Sequence, residues 1–277
     1  MDRDKISFSK LSGSGNDFII IDNRDNIIKK RGLPLFVKNI CRDRFSIGAD
    51  GVILIESSSK ADLKWRIFNS DGSEAEMCGN GMRCSARFAY MKGISKEKMT
   101  FETVAGIFNA EIKEKNVKVK FRDPHDIRLD MAILIEDDVC NGHSINTGVP
   151  HLVYFVDDVD KTDVVKIGRI TRYHELFKPA GTNVNFITVM DRENISIRTY
   201  ERGVEDETLS CGSGSVASAL IAALFNKVVS PVIISTEGGE RLIVYFNHDG
   251  DRLSDIYLEG DARMIYDGEM YEGAWMK

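Results

Sequence analysis

At 277 residues, with 43% hydrophobic and 29% charged side chains, the chain has the composition of a soluble globular protein large enough for two domains; a disordered or fibrous polypeptide is excluded. A net charge of -6 without any long Lys/Arg run argues against a nucleic-acid or membrane-surface binder, because phosphate attraction needs a basic face. No apolar run approaches the roughly 20 residues of a membrane span. The start of the chain, Met1 to Lys10, lacks the continuous apolar core of a signal peptide. The five cysteines, Cys41, Cys78, Cys84, Cys140 and Cys211, are odd in number and form no CxxC pair. That pattern suggests neither a disulfide framework nor a tetrahedral zinc site, so reduced thiols in a cytoplasmic compartment are expected and no metal is.

In chain order, residues 18–22 read as a strand, 35–42 as an amphipathic helix, 51–56 and 63–68 as strands, and 82–91 as a helix. Strands follow at 117–121 and 152–156, an amphipathic helix at 167–173, and strands at 185–189 and 195–199. A helix at 216–225 precedes strands at 232–235, 242–246 and 256–259. Most strand runs are rich in Val, Ile, Phe or Tyr and bounded by Gly, Asp or Asn. The helix at 216–225 is apolar on every side, which places it inside a sheet rather than on a surface.

The two halves share an outline. A strand, an acidic turn, a cysteine, a glycine-rich mouth and a buried helix begin at Ile67 and recur from Arg198. We read an internal duplication of α+β class, with the crossover near Arg122-Asp123-Pro124, where a proline interrupts the strand pattern. The expected division is residues 1–122 with 264–277, carrying Cys78, and residues 123–263, carrying Cys211. Each half is expected to be a curved, mostly antiparallel sheet wrapped around one central helix, with the active site in the cleft between the pseudo-symmetric domains.

Cys78-Gly79-Asn80-Gly81 and Cys211-Gly212-Ser213-Gly214 each run directly into one of these helices. A cysteine there sits where unsatisfied N–H groups and the positive end of the macrodipole stabilise a thiolate and attract a carboxylate. One such element is weak evidence, since a buried cysteine is more often an inert small hydrophobe. Its recurrence at the same station is hard to attribute to packing twice, and glycines after each sulfur would let a ligand approach the amides. Opposed thiols suit inversion: one removes a proton from one face of a carbon while the other returns a proton to the opposite face. One sulfur must then start as thiolate and the other as thiol, titrating as a coupled pair, while the amides meet the charge that builds on the substrate carboxylate.

Further segments strengthen the pattern: Gly13-Ser14-Gly15-Asn16-Asp17-Phe18, Phe68-Asn69-Ser70-Asp71-Gly72-Ser73, Gly148-Val149-Pro150-His151, Gly181-Thr182-Asn183-Val184-Asn185-Phe186 and Tyr200-Glu201-Arg202-Gly203. With the two Cys-Gly elements, they resemble the diaminopimelate epimerase family, in order and over nearly the whole chain. The resemblance implies an isomerase needing no pyridoxal phosphate or other cofactor, and usually a homodimer. Its substrate would be a diamino dicarboxylate, LL-2,6-diaminoheptanedioate, interconverted with the meso form on the way to lysine and peptidoglycan. Cys78 and Cys211 match the two catalytic thiols. Gly79, Asn80, Gly212 and Ser213 match the amides that hold the reacting carboxylate, and His151 and Glu201 match residues that tune the thiols. Asn16, Asn69, Asn183 and Arg202 match substrate contacts, Arg202 as a fork for the far carboxylate and Glu201 as a partner for the far ammonium.

On the residues alone, other readings stay open. His151 also fits a satisfied loop histidine, Asn16 and Asn183 fit turn residues, Arg202 fits a surface ion pair, and Cys84 reads as core. Cys41 and Cys140 carry no assignment. Gly51 and Val149 stand where many relatives have Gln and Asn, and the loop from Glu201 to Cys211 is one residue longer than the shorter variants. The rivals are a racemase of another amino acid, a thiol-disulfide oxidoreductase, which normally uses CxxC at one helix start, and a noncatalytic binding protein. Asn80, where proline racemase-like enzymes tend to have His, and Arg202 favour the diamino dicarboxylate.

Overall fold

The runs at 18–22 and 51–56 are apolar without alternation because the strands they form are covered on both faces. A computed structural model describes residues 5–250 and 252–276. The first stretch of chain forms β1 (Lys5–Gly13), β2 (Asn16–Asp22), α1 (Leu33–Ile40), β3 (Gly51–Glu56), β4 (Leu63–Asn69), β5 (Glu74–Ala75), α2 (Gly79–Met91), β6 (Lys98–Thr103), β7 (Gly106–Lys113) and β8 (Asn116–Lys120). The second forms β9 (His125–Ile135), β10 (Asp138–Asn146), β11 (Pro150–Phe155), α3 (Val164–Arg172), β12 (Asn183–Val189), β13 (Asn194–Glu201), β14 (Asp206–Thr208), α4 (Gly212–Leu224), β15 (Val232–Thr236), β16 (Arg241–Asp249) and β17 (Arg252–Asp261). The last strand is β18 (Arg263–Tyr271). Two compact units result: Met1–Val119 with Gly260–Lys277, and Lys120–Glu259.

Within the first unit the lateral order is β18, β1, β2, β3, β4, β6, β7, β8; the β2–β3 and β4–β6 pairs are parallel and the others antiparallel. Within the second it is β9, β10, β11, β12, β13, β15, β16, β17, with β11–β12 and β13–β15 parallel and the rest antiparallel. The short strands β5 and β14 add to β4 and β13 at equivalent places. A parallel pair needs a crossover, and a helix lies in each one: α1, α2, α3 and α4 in turn. The identical succession of pairings makes the duplication explicit, in a two-domain α+β fold dominated by antiparallel strands.

Each unit is layered in the same way. Helix α2 packs against β1, β2, β3, β7 and β18, and α4 against β10 to β13, β15 and β16. The other sheet face carries α1, whose Leu33, Val37 and Ile40 join Ile19, Ile21, Val52, Leu54 and Phe68. In the second unit Val164, Ile167 and Ile170 of α3 join Leu152, Tyr154, Val184, Phe186 and Tyr200. Each such side chain contributes about 1.5–3 kcal/mol on burial. Among the described residues no helix is long and apolar enough to cross a membrane.

Close approach of α3 to β13 depends on Gly168. A Cβ there would lie 2.4 Å from Tyr200 Cβ and 2.7 Å from its Cγ. Gly168→Ala is therefore expected to destabilise the second unit by about 1–3 kcal/mol, the usual range for overpacking. An unshifted thermal unfolding curve for this variant would show that α3 lifts off the sheet at no cost.

The helices begin earlier than their apolar patterns. Propensity places the starts at Met82 and Val216, but α2 and α4 begin at Gly79 and Gly212. Tertiary packing holds the glycine-rich first turns helical against their poor intrinsic preference. Strands β1, β6, β7, β9, β10 and β18, and the short β5 and β14, are absent from the expected elements. β9 is mostly exposed and carries an irregular charged pattern, HDIRLDMAILI, so its period is weak.

Candidate active site

Cys78 is the N-cap of α2 in extended conformation, and its Sγ accepts a hydrogen bond from Gly81 N–H at 3.4 Å. A sulfur thus takes the role usually filled by a Ser, Asp or Asn oxygen. Cys211 is the extended N-cap of α4, with Sγ 3.6 Å from Ser213 Oγ. Both sulfurs therefore sit at the electropositive start of a helix more than three turns long. The glycines two places beyond the Cys-Gly pairs are demanded from inside by their packing. A Cβ on Gly81 would come within 2.9 Å of Ile67 Cδ1, and one on Gly214 within 2.3 Å of Asn185 Oδ1.

In the first unit Asn16 and Asn80 come together. Asn16 Oδ1 accepts from Asn80 Nδ2 at 2.8 Å, and Asn16 Nδ2 donates to Asp50 Oδ2 at 3.0 Å. Behind them lies Arg83, fully buried, donating to Asn80 Oδ1 at 2.9 Å, to Ser14 Oγ at 2.6 Å and to the Asp261 carbonyl at 3.2 Å. Sequence reasoning passed over Arg83; the available signal was a cation one turn beyond Cys78 on a helix read as buried. Asn69 is the exposed last residue of β4, its amide donating to Ser73 Oγ at 3.0 Å across the turn into β5. Gly51 pairs with Asn69 in register, and a Cβ on Gly51 would meet the Phe68 carbonyl oxygen at 2.6 Å, so this backbone leaves no room for a larger residue. Cys84 is fully buried, close to Gly13. Burial pushes the Cys41 thiol up to about 12, against attraction from Lys10.

In the second unit His151, Ser213 and Cys211 form one network. His151 Nε2 is 3.0 Å from Ser213 Oγ, and its Nδ1 is 3.2 Å from Asn185 Nδ2. Burial, with the Arg202 charge adding to it, lowers the His151 pKa to about 3, so the imidazole is neutral at pH 7. Thr147 Oγ1 donates to the Ser213 carbonyl at 3.2 Å, steadying the helix start. Register sets His151 of β11 beside Asn183 of β12. Asn183 is buried and bridges backbone: Nδ2 donates to the Pro150 carbonyl at 2.9 Å and Oδ1 accepts from Arg202 N–H at 2.9 Å. It thereby holds the turn that presents Arg202, whose Nη1 reaches the Ala180 carbonyl at 3.3 Å. Glu201 accepts from Thr208 Oγ1 at 3.0 Å, and desolvation raises its pKa against that hydrogen bond.

The sequence profile of diaminopimelate epimerase matches residues 8–124 and 143–265. The chain belongs to the diaminopimelate epimerase family. It is 44% identical to the diaminopimelate epimerase of Aquifex aeolicus, covering 96% of this chain and 98% of that one. It is 47% identical to that of Hydrogenobaculum, covering 94% and 96%, and 43% identical to that of Archaeoglobus fulgidus, covering 95% and 96%. Among solved structures, a PhzF-family phenazine biosynthesis protein from Bacillus anthracis superposes with a TM-score of 0.76 at 17% identity, covering 96% of this chain and 99% of that one. A hydroxyproline epimerase from Agrobacterium vitis gives 0.70 at 16% identity, covering 96% and 92%. At these identities the structural likeness concerns the fold. Membership of the epimerase family makes this chain an isomerase with a small-molecule substrate.

Proposed function

We propose that the protein interconverts LL- and meso-2,6-diaminoheptanedioate, with Cys78 and Cys211 as its acid–base pair. One observation carries the reading: in a chain of this family, each of two like-folded units places a cysteine as the N-cap of its inner helix. The thiolate of one cysteine takes the α-proton, leaving a carbanion conjugated with the α-carboxylate. The thiol of the other delivers its proton to the opposite face and becomes the thiolate, so charge and protons balance. Amides of Gly79, Asn80, Gly212 and Ser213 meet the charge that develops on the carboxylate. The reading needs no pyridoxal phosphate. Its two thiols must stay reduced, which suits the cytoplasm, and it carries the homodimer expected of the family.

The decisive experiment is incubation of purified protein with LL-2,6-diaminoheptanedioate in deuterated water, reading mass and chirality together. Appearance of the meso isomer bearing one deuterium is expected. Inversion of proline, hydroxyproline or lysine at a comparable rate would replace this reading with a broader amino-acid racemase, and no inversion of any amino acid would end it.

Arg202 tests the second carboxylate. Arg202→Lys keeps the charge but loses the planar fork, so kcat/KM for diaminoheptanedioate is expected to fall by about 1.5–3 kcal/mol, roughly 10- to 150-fold. An undiminished kcat/KM would remove Arg202 from the substrate's far end.

A further inference from the structure

Asn185 belongs to none of the roles assigned above, yet it occupies the middle of the His151 network. It is fully buried on β12. Its orientation is unambiguous: one amide end lies 2.9 Å from the Leu152 carbonyl, which only accepts, so that end must be Nδ2. The other end, Oδ1, then accepts from Thr199 Oγ1 at 3.0 Å. The second Nδ2 hydrogen points to His151 Nδ1 at 3.2 Å, which makes Nδ1 an acceptor. A neutral imidazole with an accepting Nδ1 carries its proton on Nε2, and Nε2 is 3.0 Å from Ser213 Oγ. The Ser213 oxygen is thus engaged as an acceptor, and its own hydroxyl hydrogen is available to Cys211 Sγ at 3.6 Å.

We infer that Asn185 is a positioning residue that fixes His151 as the Nε2–H tautomer, so that the Ser213 hydroxyl is held as a hydrogen-bond donor to Cys211 Sγ. The chain runs one way, from Thr199 and Asn185 through His151 and Ser213 to the sulfur, and every link lies within the second unit. A donor aimed at sulfur favours thiolate over thiol. In this arrangement His151 orients a donor: burial keeps the ring neutral, and the amide hydrogen of Asn185 on Nδ1 leaves the one ring proton on Nε2. A side effect is that Gly214 cannot bear a side chain, since its Cβ would displace the Asn185 Oδ1 that anchors the chain. The inference deepens the two-thiol reading and rests on it for its relevance to turnover, but its test does not require turnover.

The tautomer is read directly from ¹⁵N NMR of histidine-labelled protein, with His151 assigned by its loss in His151→Gln. A neutral Nε2–H ring from pH 5 to 8 is expected; an Nδ1–H ring, or an imidazolium in that range, overturns the inference. The consequence for sulfur is read from the pH dependence of iodoacetamide alkylation at Cys211, located by peptide mass, in the Cys78→Ser background so that one site thiol titrates. Ser213→Ala and Asn185→Ala are expected to shift that profile upward by about one pH unit, a tenfold loss of thiolate at a given pH below it. Ser213→Thr, which keeps the hydroxyl, is expected to leave it in place. An unmoved profile in Ser213→Ala overturns the inference whether or not the protein epimerises diaminoheptanedioate. The NMR measurement on the unaltered protein decides the tautomer even if Asn185→Ala fails to fold.

Discussion

Alanine at Cys78 or at Cys211 is expected to lower the rate of inversion by about 100- to 10,000-fold each, the range a positioned general acid or base contributes. Serine should not restore it, because a hydroxyl is far too weak an acid to share a proton as a thiol does. The two-thiol mechanism also predicts what survives. With one sulfur gone, the other can still remove and return the α-proton on its own face, so each variant should exchange deuterium into one stereoisomer without inverting it. Cys84→Ala, at a fully buried position beside Gly13, is expected to retain most of the rate. The assay is solvent deuterium incorporation measured alongside chirality. Normal inversion by Cys78→Ala would sink the mechanism.

Acidification is expected to destabilise the protein through His151. Burial lowers its folded-state pKa from 6.5 to about 3, so the unfolded chain takes up the proton first. The stability that neutral His151 contributes is complete above pH 6.5 and is lost as pH falls from there toward 3. By linkage the loss is about 2 kcal/mol at pH 5 and approaches about 5 kcal/mol at the bottom of the window. Glu201 works in the opposite direction: burial raises its carboxyl pKa, so the carboxylate form opposes folding and that penalty fades on acidification. Denaturant titrations at pH 8 and pH 5 on the parent and on His151→Gln separate the two, since glutamine keeps hydrogen-bonding capacity without a titrating ring. Equal losses in parent and variant would show that His151 is not buried as a neutral group.

The inner strands were legible because burial on both faces writes them as unbroken apolar runs: β3 was expected at 51–56 and spans Gly51–Glu56. The outer strands were not. β1 pairs with β18, setting Lys5 opposite Tyr271, and nothing local in KISFSKLSG or RMIYDGEMY announces a partner at the other end of the chain. Helix starts slipped by three or four residues because glycine reads as loop, whereas the cysteine caps and the surrounding sheet impose helix on it.

The candidate thiol pair was legible in the chain. Two Cys-Gly mouths before two apolar helices, with the strand and turn that precede them repeated, point to a duplicated thiol site before any contact is known, because helix-end electrostatics and hydrophobic periodicity are local properties. The supporting shell is a different matter. That Asn183 braces the turn behind Arg202, that Arg83 stands behind Asn80, and that Asn185 settles which nitrogen of His151 carries its proton all depend on side chains from separate strands and helices meeting in a buried space. A buried amide must satisfy its donors and acceptor with whatever the fold brings near, and that arithmetic exists only once β11, β12, β13 and α4 are assembled.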